Sequence, residues 1–487
     1  MRCLLLSAYA IGLSAAATYN PTDVLARAIQ KAIERARTIP NYTCVETVTR
    51  VYFQPAAVSL PRDCAILLEQ RRRRTPDIVL NAYATDRLRL DVTMSSRGEI
   101  FSWSGASRFE DHDIDHVVRN GPMGTGSFGG FLTTIFTSDA KRFVFERSLS
   151  VNGRVTMEYS FQVAQPDSHY KVKLNQDWTY VPYSGTFQVD PESGDVLSMA
   201  VTTGASPPAT GMCQSTTLLD FARVRIGNEQ FMLPGHARQR FVYPSVEETE
   251  NSTTFTNCRE FRGESTVTFS PEEPAPPGAA KRASTAAEIV IPRGQRFGLE
   301  LTAPIATDTA AAGDPFTAKL SDTLRDDRNK VLAPKGSAVA GRLLRVQIFA
   351  RPPESLVVLQ PEYVETRNGR LALSAVRDWT YLVAQRRRTG KGAEVLIPLP
   401  GEENSGVFRF PGEHVLIPAK FRSDWKTVPP PAAPIRAATV RERLGDKGIK
   451  SRGQREESKP LSLACVKPPR RFATSSKPLP FSARVAR

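Results

Sequence analysis

Tyr42-Thr43-Cys44-Val45-Glu46-Thr47-Val48-Thr49-Arg50-Val51-Tyr52-Phe53 decides the fold class. Val45, Thr47, Thr49, Val51 and Phe53 alternate with Cys44, Glu46, Val48, Arg50 and Tyr52. A period of two rich in β-branched residues is the signature of a strand with two different faces. The segment just upstream has a different period. Asn20-Pro21-Thr22-Asp23 is a helix start, with a capping Asn, Pro at the first helical position and an acid in the first turn. Val24, Leu25, Ala28, Ile29, Ala32, Ile33 and Ala36 then recur on one face, and Pro40 ends the run. A helix lying on a sheet is therefore expected.

Downstream, alternating runs recur at Leu88–Met94, Ile100–Trp103, Arg142–Leu149, Val155–Val163 and Tyr170–Leu174. Others follow at Thr186–Val189, Val196–Thr202, Thr216–Ile226, Gln239–Val242 and Glu264–Phe269. Asn152-Gly153, Ser193-Gly194 and Gly227-Asn228 are turn signals between them, and a short helix is expected around Phe131–Phe136. The class is mainly β (α+β): a large antiparallel, half-barrel-like sheet with an N-terminal helix.

At the very start, Met1-Arg2 precedes an apolar run of eleven residues, Cys3–Leu13, and then Ser14-Ala15-Ala16-Ala17. A basic start, a short apolar core and small residues read as a cleavable export signal over residues 1–17. The run is shorter than the roughly 20 residues a spanning helix needs, so no transmembrane helix is expected in the mature chain. A secreted or periplasmic location follows, with a peripheral place at the outer membrane as one form of it. Residues 18–269 form the half-barrel-like unit, and the Pro-rich stretch 270–288 reads as a linker. Residues 289–425 form a smaller β-barrel or sandwich, and 426–487 a basic tail with too few apolar residues for a core.

The net charge is +15. Residues 427–487 hold 14 Lys/Arg against 4 Asp/Glu, a net of +10, so the basic character belongs mainly to the tail. Such a tail suits an anionic envelope surface, and export sets nucleic acid aside as its partner. Arg71-Arg72-Arg73-Arg74 and Arg386-Arg387-Arg388 lack interleaved aromatics, so bases would have no stacking platform there. They read as solvated loops, with anionic head groups the alternative.

Beyond the export segment lie Cys44, Cys64, Cys213, Cys258 and Cys465, with no Cys-x-x-Cys spacing. In an oxidising compartment the first four read as two disulfides. Three pairings are open, and sequence neighbours, Cys44–Cys64 and Cys213–Cys258, are favoured as staples of adjacent strands. Each bond is worth roughly 2–4 kcal/mol in the chain-entropy account.

Three stretches carry a resemblance. Gly185-Thr186-Phe187-Gln188-Val189-Asp190-Pro191-Glu192-Ser193-Gly194-Asp195-Val196-Leu197 resembles the strand–turn–strand of periplasmic lipoprotein carriers, which fold a half-barrel over helices. Phe221–Pro234 and Asn257–Phe269 fit the same scheme. Pro40-Asn41-Tyr42-Thr43-Cys44 after a helix is similar to a class of uncharacterised exported proteins of soil bacteria. The resemblance implies a concave apolar surface holding a lipid or acyl chain, and it brings no catalytic residue. The second unit, through Gly313-Asp314-x-Phe316 and Ala333-Pro334-Lys335-Gly336, faintly resembles the β-barrel domain of type IV secretion scaffolds.

Local motifs for chemistry are sparse. In Asp111-His112-Asp113-Ile114-Asp115-His116, the two histidines would share a helix face, with Asp113 or Asp115 completing a metal site; a solvated acidic stretch is the alternative. Gly124-Thr125-Gly126-Ser127-Phe128-Gly129 matches Gly-x-Gly-x-x-Gly. It lies in antiparallel surroundings rather than a βαβ unit, so it reads as a turn and no cofactor is expected. His169, His236 and His414 stand alone, and Glu192 and Asp195 belong to a chain reversal. No Gly-x-Ser-x-Gly elbow is present. The expected function is non-enzymatic: an exported envelope protein binding an apolar ligand or a lipidated partner. The alternatives are a structural protein of an envelope assembly tethered by its tail and, more distantly, a metal-dependent hydrolase using His112 and His116.

Overall fold

A computed structural model describes residues 19–38, 41–57, 60–73, 78–95, 98–106, 109, 114–151, 153–174, 177–207, 210–260, 291–367, 369–379 and 396–429. Residues 1–17, expected to be an export signal, the Pro-rich stretch, Cys465, Arg386-Arg387-Arg388, the strand expected over Glu264–Phe269 and nearly all of the basic residues 427–487 lie outside them.

Helix α1 spans Pro21–Thr38, where the N-terminal signals placed it. The Asn20 side chain accepts the Thr22 N–H at 2.9 Å, satisfying one of the amides a helix start leaves free. Strands β1 (Tyr42–Pro55), β2 (Leu80–Ser95) and β3 (Gly98–Trp103) follow, with α2 (Cys64–Arg72) between β1 and β2. After α3 (Ile114–Val117), α4 (Gly130–Thr134) and a π-turn over Ile135–Asp139 come β4 (Phe143–Val151) and β5 (Arg154–Val163). The small hairpin β6 (Lys171–Leu174) and β7 (Asp177–Tyr180) precedes β8 (Tyr183–Val189) and β9 (Val196–Thr203). The unit ends with β10 (Gln214–Ile226), β11 (Glu229–Val242) and β12 (Glu248–Glu260).

The pairings run β4-β5-β8-β9-β10-β11-β12-β1-β2-β3, all antiparallel. Short turns join β8 to β9, β10 to β11 and β11 to β12, while α2 lies between β1 and β2 and the β6–β7 hairpin between β5 and β8; β12 returns to pair with β1. That one long-range pairing sets Val45 opposite Thr256 and Arg50 opposite Asn251. Helices α1 and α4 lie on one face and fill it. Val24, Ala28 and Ala32 of α1, with Phe131, Leu132, Ile135 and Phe136, pack on Phe161, Phe187, Met199, Leu219 and Leu233 of the sheet. Phe136 meets Phe187 edge to face at 5.0 Å, a preferred aromatic geometry. The Tyr159 hydroxyl donates to the Pro21 carbonyl at 2.7 Å and ties the start of α1 to the sheet.

The cysteines pair as Cys44–Cys258 and Cys64–Cys213. This corrects the expected pairing of sequence neighbours. Strand order is the reason: β12 lies beside β1, so Cys44 and Cys258 are spatial neighbours across a sequence separation of 214. Cys64 opens α2 and bonds to the residue that precedes β10. There Leu67, Val242 and Val246 close a small apolar cluster around the bond.

The second β-rich segment contains β13 (Arg296–Leu301), β14 (Ile305–Ala306), β15 (Pro315–Leu320), β16 (Leu324–Arg325), β17 (Val331–Ala333) and β18 (Ala338–Ala350). It continues with β19 (Pro353–Thr366), β20 (Gly369–Ala372), β21 (Ala375–Arg377), β22 (Gly406–Pro411), β23 (Leu416–Ile417) and β24 (Arg422–Thr427). Pairing runs β19-β18-β15-β13-β24-β21, and β20, which leads into β21, returns to β19. The ring closes into a small barrel around Trp425, Phe297, Leu320 and Leu324. Closure leaves few free strand edges. The barrel joins the first sheet directly: β18 pairs with β2 through Gln347–Asp86, Ile348–Thr85 and Phe349–Ala84. Arg89 and Asp314 form an ion pair beside this junction.

Candidate functional site

Two features of the helix-bearing face could do chemistry: a polar floor beneath the Gly-rich segment, and a seam beside α1. The floor comes from the register of β1. Its buried face is Cys44, Glu46, Val48 and Arg50, so two charged residues point inward. The Arg50 guanidinium forms a bidentate pair with Asp86, both bonds 2.7 Å, and donates to the Asn120 carbonyl at 2.7 Å. Tyr52 adds a hydroxyl to Asp86 at 3.0 Å, and the Asn251 amide reaches the Pro122 carbonyl at 3.0 Å.

These bonds lay residues 120–130 across the sheet. Gly126 has φ +98° and a Cβ there would press on the Phe131 ring, so this position requires glycine, while a Cβ on Gly124 would displace the end of the Gln239 side chain. The segment's amides converge on one group. Glu99 accepts the N–H of Gly126 at 2.6 Å, Phe128 at 2.8 Å, Gly129 at 3.2 Å and Gly130 at 3.3 Å. A run of backbone N–H groups makes an anion-binding nest. Here the anion is the protein's own carboxylate, which explains the Gly-x-Gly-x-x-Gly spacing without any nucleotide. Burial raises the Glu99 pKa, and these four amides work against that rise. Glu46, buried beside it, has its pKa pushed up to about 8 by burial and by the Glu99 charge.

The proposed metal ligands divide. His112 and Asp113 lie outside the described residues. Asp115 and His116 are on α3, where Asp115 forms an ion pair with Lys173 and lies 3.5 Å from the His116 ring. No group of three or more potential metal ligands occurs among the described residues. The other histidines each meet a polar partner. His169 Nδ1 lies 2.5 Å from Asp139, His414 Nδ1 lies 2.6 Å from Asp308, and His236 Nε2 lies 3.1 Å from the Ser252 hydroxyl. Asp139 also accepts the His169 N–H and the hydroxyls of Tyr183 and Ser138. Arg71 of the basic cluster pairs with the buried Glu248.

The seam is an opening of about 250 Å³ where α1 and α4 approach the ends of β9, β10 and β11. Its walls are Ala28 and Ala32 of α1, Leu132 of α4, Val196, Phe231 and Met232. Lys31, Glu34, Arg35, Asp195 and Arg223 surround the mouth. Asp195 is held between Lys31 at 2.9 Å and Arg223 at 2.8 Å, and Arg27 donates to the Pro191 carbonyl at 2.5 Å. The turn 190–196 thereby clamps α1 onto the sheet. Asp195, which reads from sequence as a mere chain-reversal residue, is the centre of that clamp.

Comparison adds two structures. No family model matches the chain, and no curated protein does. A DUF1329 family protein from Desulfovibrio piger is similar at 8% identity over 51% of this chain and 97% of that one, with a TM-score of 0.23. A putative outer membrane lipoprotein-sorting protein domain from Vibrio parahaemolyticus is similar at 10% identity over 49% of this chain and 95% of that one, with a TM-score of 0.23. At these scores the likeness carries no argument about the present chain. Among the described residues, no helix is long and apolar enough to cross a membrane.

Proposed function

We propose that the chain is a non-enzymatic, exported envelope protein that takes an apolar ligand, an acyl chain or a lipidated partner, between α1 and the sheet. The observation that carries this reading is the seam: an apolar-walled opening with a charged mouth between α1, α4 and the sheet. Its 250 Å³ falls just under the roughly 300–1,000 Å³ of small-molecule sites. Ligand entry therefore requires Phe231, Met232 or the C-terminal half of α1 to move. Two disulfides suit the oxidising compartment that an export signal over residues 1–17 would reach.

Native mass spectrometry of protein purified from its own envelope fraction tests this. Lipid should be retained, and Ala32→Phe, which fills the seam, should abolish retention while near-UV circular dichroism is unchanged. Clean apo protein from the envelope sinks the reading.

A structural role is the second reading. It is favoured by the filled helix-bearing face and by the β2–β18 pairing that ties the barrel to the sheet. On this reading the basic residues 427–487 tether the protein to an anionic envelope surface. Deleting them should release the protein from membranes carrying anionic lipid, with the release mimicked by high salt.

A further inference from the structure

Arg35 differs from the other cations at the mouth of the seam. Lys31 and Arg223 are both spent on Asp195. Arg35 lines the opening, is half-buried, and forms no hydrogen bond or ion pair among the described residues. Burial pushes its pKa below the ordinary arginine value, against the attraction of Tyr42 and Asp195. A guanidinium withdrawn from water without an acceptor is costly. A carboxylate or phosphate meets its paired N–H donors in a bidentate geometry and removes that cost. The mouth also carries three cations (Lys31, Arg35, Arg223) against two anions (Glu34, Asp195), while the walls behind it are apolar.

The geometry points to a single-chain anionic amphiphile as the ligand, its chain between Ala32, Leu132 and Met232 and its head group on the Arg35 guanidinium. This rests on the apolar-seam reading above and narrows it to a chemical class. Carboxylate and phosphate head groups share the chemistry, and the test separates them.

The full-length mature protein is titrated with palmitate, 1-palmitoyl lysophosphatidate, neutral monopalmitin and inorganic phosphate, each amphiphile below its micelle concentration. Palmitate, the lysophosphatidate or both should bind about tenfold tighter than monopalmitin, the size expected of one charge-assisted contact. Whichever binds tighter names the head group. Arg35→Gln should bring that ratio close to one. Arg35→Lys, which keeps the charge but not the fork, should fall between and serves if Arg35→Gln does not fold. Equal affinities for anionic and neutral chains in the unaltered protein overturn the proposal and leave the apolar seam standing. A preference that survives Arg35→Gln overturns it too. Displacement of palmitate by inorganic phosphate at equal concentration overturns it in favour of a plain anion site. If no chain binds, the seam reading itself falls.

Discussion

Glu99 on β3 accepts the Gly126 N–H at 2.6 Å, and through it the sheet holds the whole Gly-rich segment. The neighbouring amides of Phe128, Gly129 and Gly130 turn to the same carboxylate. Glu99→Ala leaves four partly buried donors without their acceptor. The expected loss is about 3 kcal/mol or more, read as a lower urea midpoint at unchanged slope. Neither the variant nor the unaltered protein should bind a dinucleotide. An unmoved midpoint would show that water replaces the carboxylate at no cost.

Glu46 makes stability depend on pH in a direction unusual for a carboxyl group. Its folded pKa, about 8, lies above its unfolded value. Its contribution is therefore fully present below pH about 4.5 and is lost as pH rises through about 8. Above that, the buried carboxylate stands beside Glu99. Glu46→Gln should remove this fall and leave the variant more stable than the parent at pH 9, by about 1–3 kcal/mol. Parallel urea midpoints at pH 5 and pH 9 for both proteins check it, and identical pH profiles refute it.

Asp139 acts on the acid side. Burial alone would raise its pKa, but the His169 N–H, the Tyr183 hydroxyl, the His169 ring and the Ser138 hydroxyl together hold it below the usual value. A lowered folded pKa gives stability that is present above the unfolded value and lost as pH falls through the folded one. Asp139→Asn should flatten the acid limb of the stability profile below pH about 4. His169→Ala, which removes a largely exposed ring, should cost less than Asp139→Ala. The reverse order in thermal melts would mean that the ring, not the carboxylate, organises the cluster.

The disulfide between Cys64 and Cys213 closes a separation of 149 residues. Paired replacement by serine should lower stability by about 4–5 kcal/mol in the chain-entropy account, leaving α2 held by the Leu67 cluster and the Arg71–Glu248 ion pair. Non-reducing peptide mapping should recover Cys44 with Cys258 and Cys64 with Cys213. A Cys44–Cys64 peptide would contradict the strand order, since it places both cysteines before β2.

Much of the fold is legible in residue order. The helical spacing from Val24 to Ala36 and the alternation from Tyr42 to Phe53 give α1 and β1 within a residue or two. The turns at Gly153, Gly194 and Gly227 all have positive φ, as their sequence contexts imply. Strand β12 was not legible, because its inward face is Thr249, Asn251 and Thr253 rather than an apolar stripe. Polar residues there serve the floor beneath the Gly-rich segment, for which hydrophobic periodicity has no signal. Helix α2 was hidden for a related reason: its arginines read as a solvated loop, while its burial rests on Leu67 alone.

Local chemistry in the sequence determined the period of each element, the places where the chain turns, and which residues could cap or staple. These depend on neighbours within a few positions. Tertiary structure alone decided what those residues do. Bringing β12 beside β1 sets the Cys44–Cys258 pairing, laying the Gly-rich segment over β3 makes it a nest for Glu99, and packing α1 against the sheet closes Lys31 and Arg223 around Asp195. Each of these joins groups far apart in the chain. Their partners are fixed by strand order and by the cost of leaving a buried charge or amide unsatisfied, and neither is written in any local stretch.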